Sequence, residues 1–211
     1  MRSPDPLSAA LLQERLSETR APEDPLDVVM PPGSERWPDF VRERIVRTLR
    51  PAGVLIPVIE RVAGLSVLLT QRSAELKHHA GQVSFPGGRM EEHDHDIVHT
   101  ALRETHEEVG IPPEAIDVIG YLPPMPTVTG YAVTSVVGLV ADNITLQIDR
   151  TEVEYAFEVP LAFLLDSRNE RALEREYQGR RVPTVEFHYG GEKIWGATAH
   201  ILVELRKQLK K

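Results

Sequence analysis

Between residues 53 and 72 the chain reads GVLIPVIERVAGLSVLLTQR, two apolar, β-branched runs separated by RVAG. Such runs, split by a short turn segment ending in Gly, form a β-hairpin. A two-stranded hairpin is marginal on its own in water, so this pair commits the chain to a larger sheet. Further strands are predicted at AIDVIGYL (115–122), AVTSVVGLVA (132–141) and YAFEVPL (155–161), with a second hairpin at EREYQGRRVPTVEFHY (174–189). Helical spacing is read in FVRERIVRTL (40–49), stopping before Pro51, and in ATAHILVELRKQL (197–209). The clearest helix is Asp96–Val109. Val98, Leu102, Thr105 and Val109 fall on one narrow stripe at about 100° per residue, and Gly110 with Pro112 ends it. Mixed strands, few helices and no regular βαβ alternation predict an α+β or α/β sandwich.

At 211 residues the chain suits one domain, here 36–211, preceded by an arm or extension at 1–35. The amphipathic piece Leu7–Leu16 lies in that arm among Pro-rich stretches, and can pack on its own domain or on a partner subunit. A net charge of −8 argues against a nucleic-acid or membrane-surface binder, which carries a basic face. The absence of cysteine excludes disulfides, thiol nucleophiles and cysteine metal sites. No segment has the roughly 20 apolar residues that span a bilayer, and the first residues have no unbroken signal-peptide core. Cytoplasm is the expected location.

On the predicted helix, Glu104 and Glu108 are four residues apart with Glu107 beside them, away from the apolar stripe. Carboxylates at these spacings repel, and a hard divalent cation such as Mg²⁺ relieves the repulsion through oxygen ligands. The bland alternative is a solvated acidic face. Upstream, Gly87 and Gly88 of FPGG are expected to let the backbone approach a metal–phosphate cluster. The neighbouring HDHD (93–96) is a tempting second cation site. Its position at the helix entry instead suits Asp94 or Asp96 to capping, and His93 and His95 alternate rather than keeping a helical i,i+4 spacing.

Gly88, Asp94 and the run Arg103-Glu104-Thr105-His106-Glu107-Glu108-Val109-Gly110-Ile111 resemble the Nudix box, written GX5EX7REUXEEXGU with U aliphatic. Asp94 stands where the box has its first Glu, eight residues rather than seven precede Arg103, and Thr105 replaces an aliphatic. Upstream, Leu68 to Gly88 (LLTQRSAELKHHAGQVSFPGG) is similar to the LLTXRSXXXRX3GX3FPGGX motif of coenzyme A pyrophosphatases in that superfamily. Lys77 stands there where the motif has Arg, keeping the charge without the bidentate fork. IWGATAHIL near the C-terminus also resembles this subfamily.

The resemblance implies a Nudix-type α/β/α sandwich with a mixed central sheet, a Mg²⁺ or Mn²⁺ cofactor and a homodimer. It implies hydrolysis of coenzyme A or acyl-CoA to 3′,5′-ADP and (acyl-)4′-phosphopantetheine. Glu104 and Glu108 become principal metal ligands, with Glu107 and the Gly88 carbonyl contributing, and Arg103 holds the acidic residues in place. The general base is drawn from outside the box, with Glu152 matching better than Glu154 and Glu104 a rival. Arg72, Lys77, Gly81, Phe85 and Gly87 are expected to meet the substrate, while His78 and His79 read as solvent-exposed. Two alternatives stand: a Nudix hydrolase for ADP-ribose, NADH or capped RNA, and a catalytically silent nucleotide-binding module.

Overall fold

The computed structural model describes residues 7–76, 79–177 and 179–210. The opening runs form β1 (Arg50–Arg61) and β2 (Gly64–Arg72), an antiparallel hairpin pairing Val58 with Val67 and Arg61 with Gly64. Away from the turn the two strands separate, and the fork is filled by two short strands. β3 (Val83–Ser84) pairs with Thr70–Gln71 of β2, and β4 (Gly87–Arg89) pairs with Ala52–Val54 of β1. The Leu55 N–H donates to the Pro86 carbonyl at 2.9 Å, which fixes FPGG at the centre of the sheet.

On its other edge β1 runs parallel to β6 (Tyr131–Val140), from Arg50 against Tyr131 to Ile59 against Val140. β5 (Ile116–Pro126) and β7 (Val153–Pro160) complete the sheet antiparallel to β6 and β2. The sheet is therefore mixed, as expected. Successive residues of β1 point to opposite faces. Ile56 and Val58 join the main core with Leu69, Val137, Val159 and residues Ile201, Leu202 and Leu205 of α5 (Gly196–Gln208). Leu55 and Ile59 face the other way, toward Ala101 and Val109 of α3 (Ile97–Val109). Burial of both faces is why these strands read as continuous apolar runs rather than alternating ones.

α3 begins and ends where expected, and Thr105 and Val109 of the expected stripe are buried, but the helix is rolled so that its small residues make the closest contact with the sheet. Its buried residues are Ile97, Thr100, Ala101, Thr105, Glu108 and Val109, while Val98 and Leu102 are only half-buried. Small residues set this contact. A Cβ on Gly53 of β1 would lie 2.6 Å from the Ile97 carbonyl oxygen, so the helix crosses directly over a bare stretch of strand. Glu108, expected on the polar face, is consequently turned inward.

The other differences are local. α2 (Asp39–Ile45) ends well before Pro51, with Trp37, Val41 and Ile45 packed against Val182. Arg50 already pairs with Tyr131, and a residue preceding proline is driven to extended backbone, so β1 starts at Arg50 rather than after the proline. The second hairpin forms as β8 (Arg171–Tyr177) and β9 (Arg180–Tyr189), extended by an unanticipated β10 (Glu192–Trp195). Its signal was the pair Gly190-Gly191, both at positive φ (60° and 92°), as two-residue hairpin turns require. α1 (Ala9–Leu16) packs on its own chain. Leu12 and Leu16 are fully buried in the main core, and Gly120 leaves room for Leu16. Among the described residues no helix is long and apolar enough to cross a membrane.

Candidate active site

Both ends of α3 are tied down, and each tie brings a functional group into place. At the N-terminus Asp96 caps the helix by accepting from the His99 N–H at 2.8 Å, so it is Asp96 of HDHD that serves as the cap. At the C-terminus Gly110 adopts φ 74°. The Gln147 and Asp149 N–H groups there donate to the carbonyls of Val109 and Glu108, at 2.9 and 3.1 Å. The Asp149 carbonyl accepts in turn from the N–H groups of Glu152 and Val153, and the Glu152 carbonyl accepts from Ser73 N–H at 2.8 Å. This relay sets Glu152, half-buried, beside the carboxylates of α3, while Glu154 is exposed. Nothing in the sequence marked residues 147–149 as the link.

Arg103 is the organising cation. Its Nε and Nη2 bind the two oxygens of Asp94 at 2.8 and 2.9 Å, and its Nη1 reaches Glu104 at 3.0 Å and Glu107 at 2.9 Å. Two-point binding of a carboxylate by a guanidinium fixes direction as well as charge. The Asp94 side chain has no solvent exposure and also accepts from Thr100 Oγ1 (3.0 Å) and Glu91 N–H (2.9 Å). The Arg103 hydrogen bonds hold its carboxyl far below the usual carboxylate range. Asp94 therefore anchors Arg103 from within the protein, and Thr100 is a supporting residue that sequence reading missed.

Glu108 is the most buried of the acidic set, with 2% of its side chain exposed. Its oxygens lie 3.3 Å from Arg72 Nη1 and 3.3 Å from the Gly87 N–H. Burial pushes its pKa up to about 8. Arg72 and the Gly87 N–H oppose that rise, and the charges of Glu152 and Glu104 add to it. Burial also raises Glu104, opposed by Arg103 and reinforced by Glu107 and Glu152. Glu107 remains exposed at the rim, on Arg103. Three carboxylates from two separate segments, Glu104, Glu108 and Glu152, thus sit within one another's fields.

The double glycine has a steric reason in this fold. A Cβ on Gly88 would lie 2.5 Å from both Cδ and Oε1 of Glu104, so the carboxylate rests directly on the bare backbone. Gly87, at φ 150°, could carry no Cβ because Gly53 O would be 2.4 Å away. Of the other residues expected at the substrate, Arg72 meets Glu108 and keeps its Nε buried without a partner. Gly81, at φ 66°, closes the loop after β2 by accepting from Gln71 Nε2 at 2.7 Å. Phe85 is buried in the main core. Lys77 and His78 lie outside the described residues. His79 is exposed, as expected, with Nδ1 2.9 Å from Gln82 Oε1.

The donor set suits a hard divalent cation: it offers carboxylate and backbone oxygens, and two of its carboxyls are raised by burial despite the arginines beside them. As they stand, no three acidic or imidazole groups among the described residues are gathered closely enough to cage an ion. Arg72 and Arg103 hold the carboxylates instead.

Comparison with known proteins identifies the family. The NUDIX domain family model matches residues 49–178. Nudix hydrolase NudL of Salmonella paratyphi B is 44% identical over 160 residues, covering 76% of this chain and 83% of the relative, and NudL of Salmonella newport matches to the same extent. Among solved structures, a MutT/nudix family protein from Enterococcus faecalis shares the fold, with a TM-score of 0.50 at 18% identity over 75% of this chain and 61% of that one. Matched over more than half its length by the family model and over most of it by these relatives, the chain belongs to the Nudix family of hydrolases.

Proposed function

We propose that the chain is a metal-dependent diphosphatase that hydrolyses coenzyme A or its acyl thioesters to 3′,5′-ADP and (acyl-)4′-phosphopantetheine. The observation that carries the reading is the convergence of Glu104, Glu108 and Glu152, from α3 and from the segment before β7, beside the guanidinium of Arg72. Buried like charges are costly, and a surface carboxylate cluster would not be tied down at both ends. Substrate choice rests on the resemblance of residues 68–88 to the coenzyme A pyrophosphatase motif.

Glu104 and Glu108 would hold Mg²⁺ or Mn²⁺, with Glu107 and the Gly88 carbonyl contributing. The ion, when bound, neutralises the diphosphate oxygens and lowers the pKa of water. Arg103, itself fixed by Asp94, keeps Glu104 and Glu107 aimed. Glu152 would take a proton from attacking water, a role that its attachment beside α3 through the Asp149 backbone relay supports. Arg72, once its partner Glu108 is otherwise neutralised, is free to pair with phosphate.

The test is product analysis with CoA, acetyl-CoA, ADP-ribose and NADH, each with Mg²⁺ or Mn²⁺ in ¹⁸O-labelled water. Efficient formation of 3′,5′-ADP with one labelled phosphate supports the reading. Efficient cleavage of ADP-ribose beside slow turnover of CoA would replace it, and binding of all four without turnover would make the chain a nucleotide-binding module.

A further inference from the structure

Where β2 ends and β7 begins, one aromatic side chain stands outside the core yet is firmly held. Phe85, Phe187 and Trp37 are buried, whereas Tyr155 is 37% exposed. Its backbone is set in the sheet opposite Gln71, the neighbour of Arg72 on β2. Its hydroxyl donates to Glu192 Oε1 at 2.7 Å, a bond that crosses from β7 to β10. Phe157, two residues on and packed against the main core, meets the ring at a centroid separation of 6.1 Å. The Glu192 hydrogen bond also raises the phenol pKa, so the hydroxyl remains the donor. A solvated tyrosine samples several rotamers, but this one is held at its tip, its flank and its backbone.

A ring fixed in this way presents a π face whose freedom is already lost on folding, so a ligand has little further ordering to impose. Its place limits what that ligand is. Tyr155 and Gln71 lie on the face of the sheet opposite α3, as do their strand neighbours Phe157 and Leu69. Only the ends of β2 and β7 separate them from Arg72 and Glu152. A ligand whose phosphates meet Arg72 therefore reaches Tyr155 over the end of the sheet, with a part that lies beyond the phosphates. Glu192 repels a further phosphate and accepts from a donor instead. Among the described residues no other group hydrogen-bonds to its carboxylate. A planar group bearing an N–H donor suits both features. Of the two arms of a CoA-type substrate the adenine is such a group, whereas pantetheine is a flexible chain without a π face.

We infer that Tyr155 is the stacking platform for the purine of the substrate, with Glu192 accepting from its exocyclic amine. The inference rests on the diphosphatase reading for where the phosphates lie. It does not rest on coenzyme A as the substrate, since ADP-ribose and NADH carry the same base. Stacking alone tolerates any base, because each has a π face. Glu192 supplies the selectivity: it accepts from the 6-amino group of adenine and repels the oxygen that hypoxanthine carries at the same position.

Calorimetric titration of the full chain with AMP in saturating Mg²⁺ tests this, with IMP and 4′-phosphopantetheine as further probes. The wild type should bind AMP more tightly than IMP, and Glu192→Gln, which can both accept and donate, should reduce that difference. Tyr155→Ala should weaken AMP binding by about 5- to 150-fold, the usual worth of a base–aromatic stack. Tyr155→Phe should keep most of the affinity, because the ring is retained. Binding of 4′-phosphopantetheine should be equal in wild type and Tyr155→Ala, as it is when fold and carboxylates are intact. No AMP binding by the wild type, AMP binding unchanged by Tyr155→Ala, or Tyr155→Phe as weak as Tyr155→Ala would overturn the inference. So would loss of 4′-phosphopantetheine in place of AMP, which would assign the platform to the other arm. If CoA is a poor substrate while AMP binding still depends on Tyr155, the substrate reading fails and the stacking site stands.

Discussion

Replacing Glu108 with Gln should stabilise the metal-free protein, and should do so increasingly as pH rises. The folded-state pKa of Glu108 is raised from 4.5 to about 8 by burial. In the unfolded chain it titrates near 4.5, so between these values the folded state holds a proton that the unfolded state has lost. Ionising Glu108 therefore costs stability progressively from about pH 4.5 upward, and the loss is complete above about pH 8. At about 1.36 kcal/mol per pH unit the full shift amounts to roughly 4 to 5 kcal/mol, an upper bound that water penetration reduces. Gln also leaves Arg72 without its partner, which returns about 1 kcal/mol, so about 2–4 kcal/mol of net stabilisation remains near pH 8. For a chain of this length that is about 5–10 °C in melting temperature near pH 8, shrinking to about zero near pH 5, where the ionisation cost and the loss at Arg72 cancel. Thermal denaturation in EDTA across pH 5 to 8.5 measures it. Saturating Mg²⁺ should close the gap by stabilising the wild type alone, and Glu108→Gln should lack turnover. A melting-temperature difference that does not widen with pH would refute the argument that burial, rather than Arg72, governs this carboxylate.

Four other substitutions probe the remaining links. Gly88→Ala must displace the Glu104 carboxylate by about 1 Å, a misplacement that costs on the order of 10²-fold in kcat, with the fold retained by circular dichroism. Gly53→Ala meets the Ile97 carbonyl instead, and should lower stability by about 1–3 kcal/mol in denaturant titration. Arg103→Lys keeps the charge but cannot hold Asp94, Glu104 and Glu107 at once, so it should lower kcat with the charge retained. Glu152→Gln should lower kcat by about 10²- to 10⁴-fold with KM little changed, as removal of a general base does.

The sequence was informative where local rules decide the outcome. The hairpin, the length of α3, its Gly110 stop and the RETHEE set were all legible, because apolar runs, capping residues and i,i+4 spacing act within one segment. It was misleading where tertiary contact overrides pattern. The stripe of Val98, Leu102, Thr105 and Val109 does meet the core, but it placed the centre of contact part of a turn away, because an apolar count cannot register that Gly53, Thr100 and Ala101 permit closer approach than larger side chains do. The start of β1 was missed for a related reason: Pro51 was read as a helix stop, when pairing with β6 already holds Arg50 extended. The relay through Gln147 and Asp149 consists of backbone hydrogen bonds between segments about forty residues apart, and no side chain announces it.

That roll of the helix bears on the chemistry. Had the contact been centred on Val98 and Leu102, Glu104, Glu107 and Glu108 would all face water, and their repulsion would be screened to a few tenths of a kcal/mol. Because Gly53 admits the helix on its small-residue side, Glu108 is carried beneath it and loses its hydration, while Glu104 comes to rest on Gly88. The demand for a cation is thus created by packing more than by the number of acidic residues. It follows that Gly53→Ala, far from any reacting atom, should do more than lower stability. By lifting α3 it should let water reach Glu108, drop its pKa toward that of an ordinary glutamate and weaken the pH dependence of stability seen in the wild type.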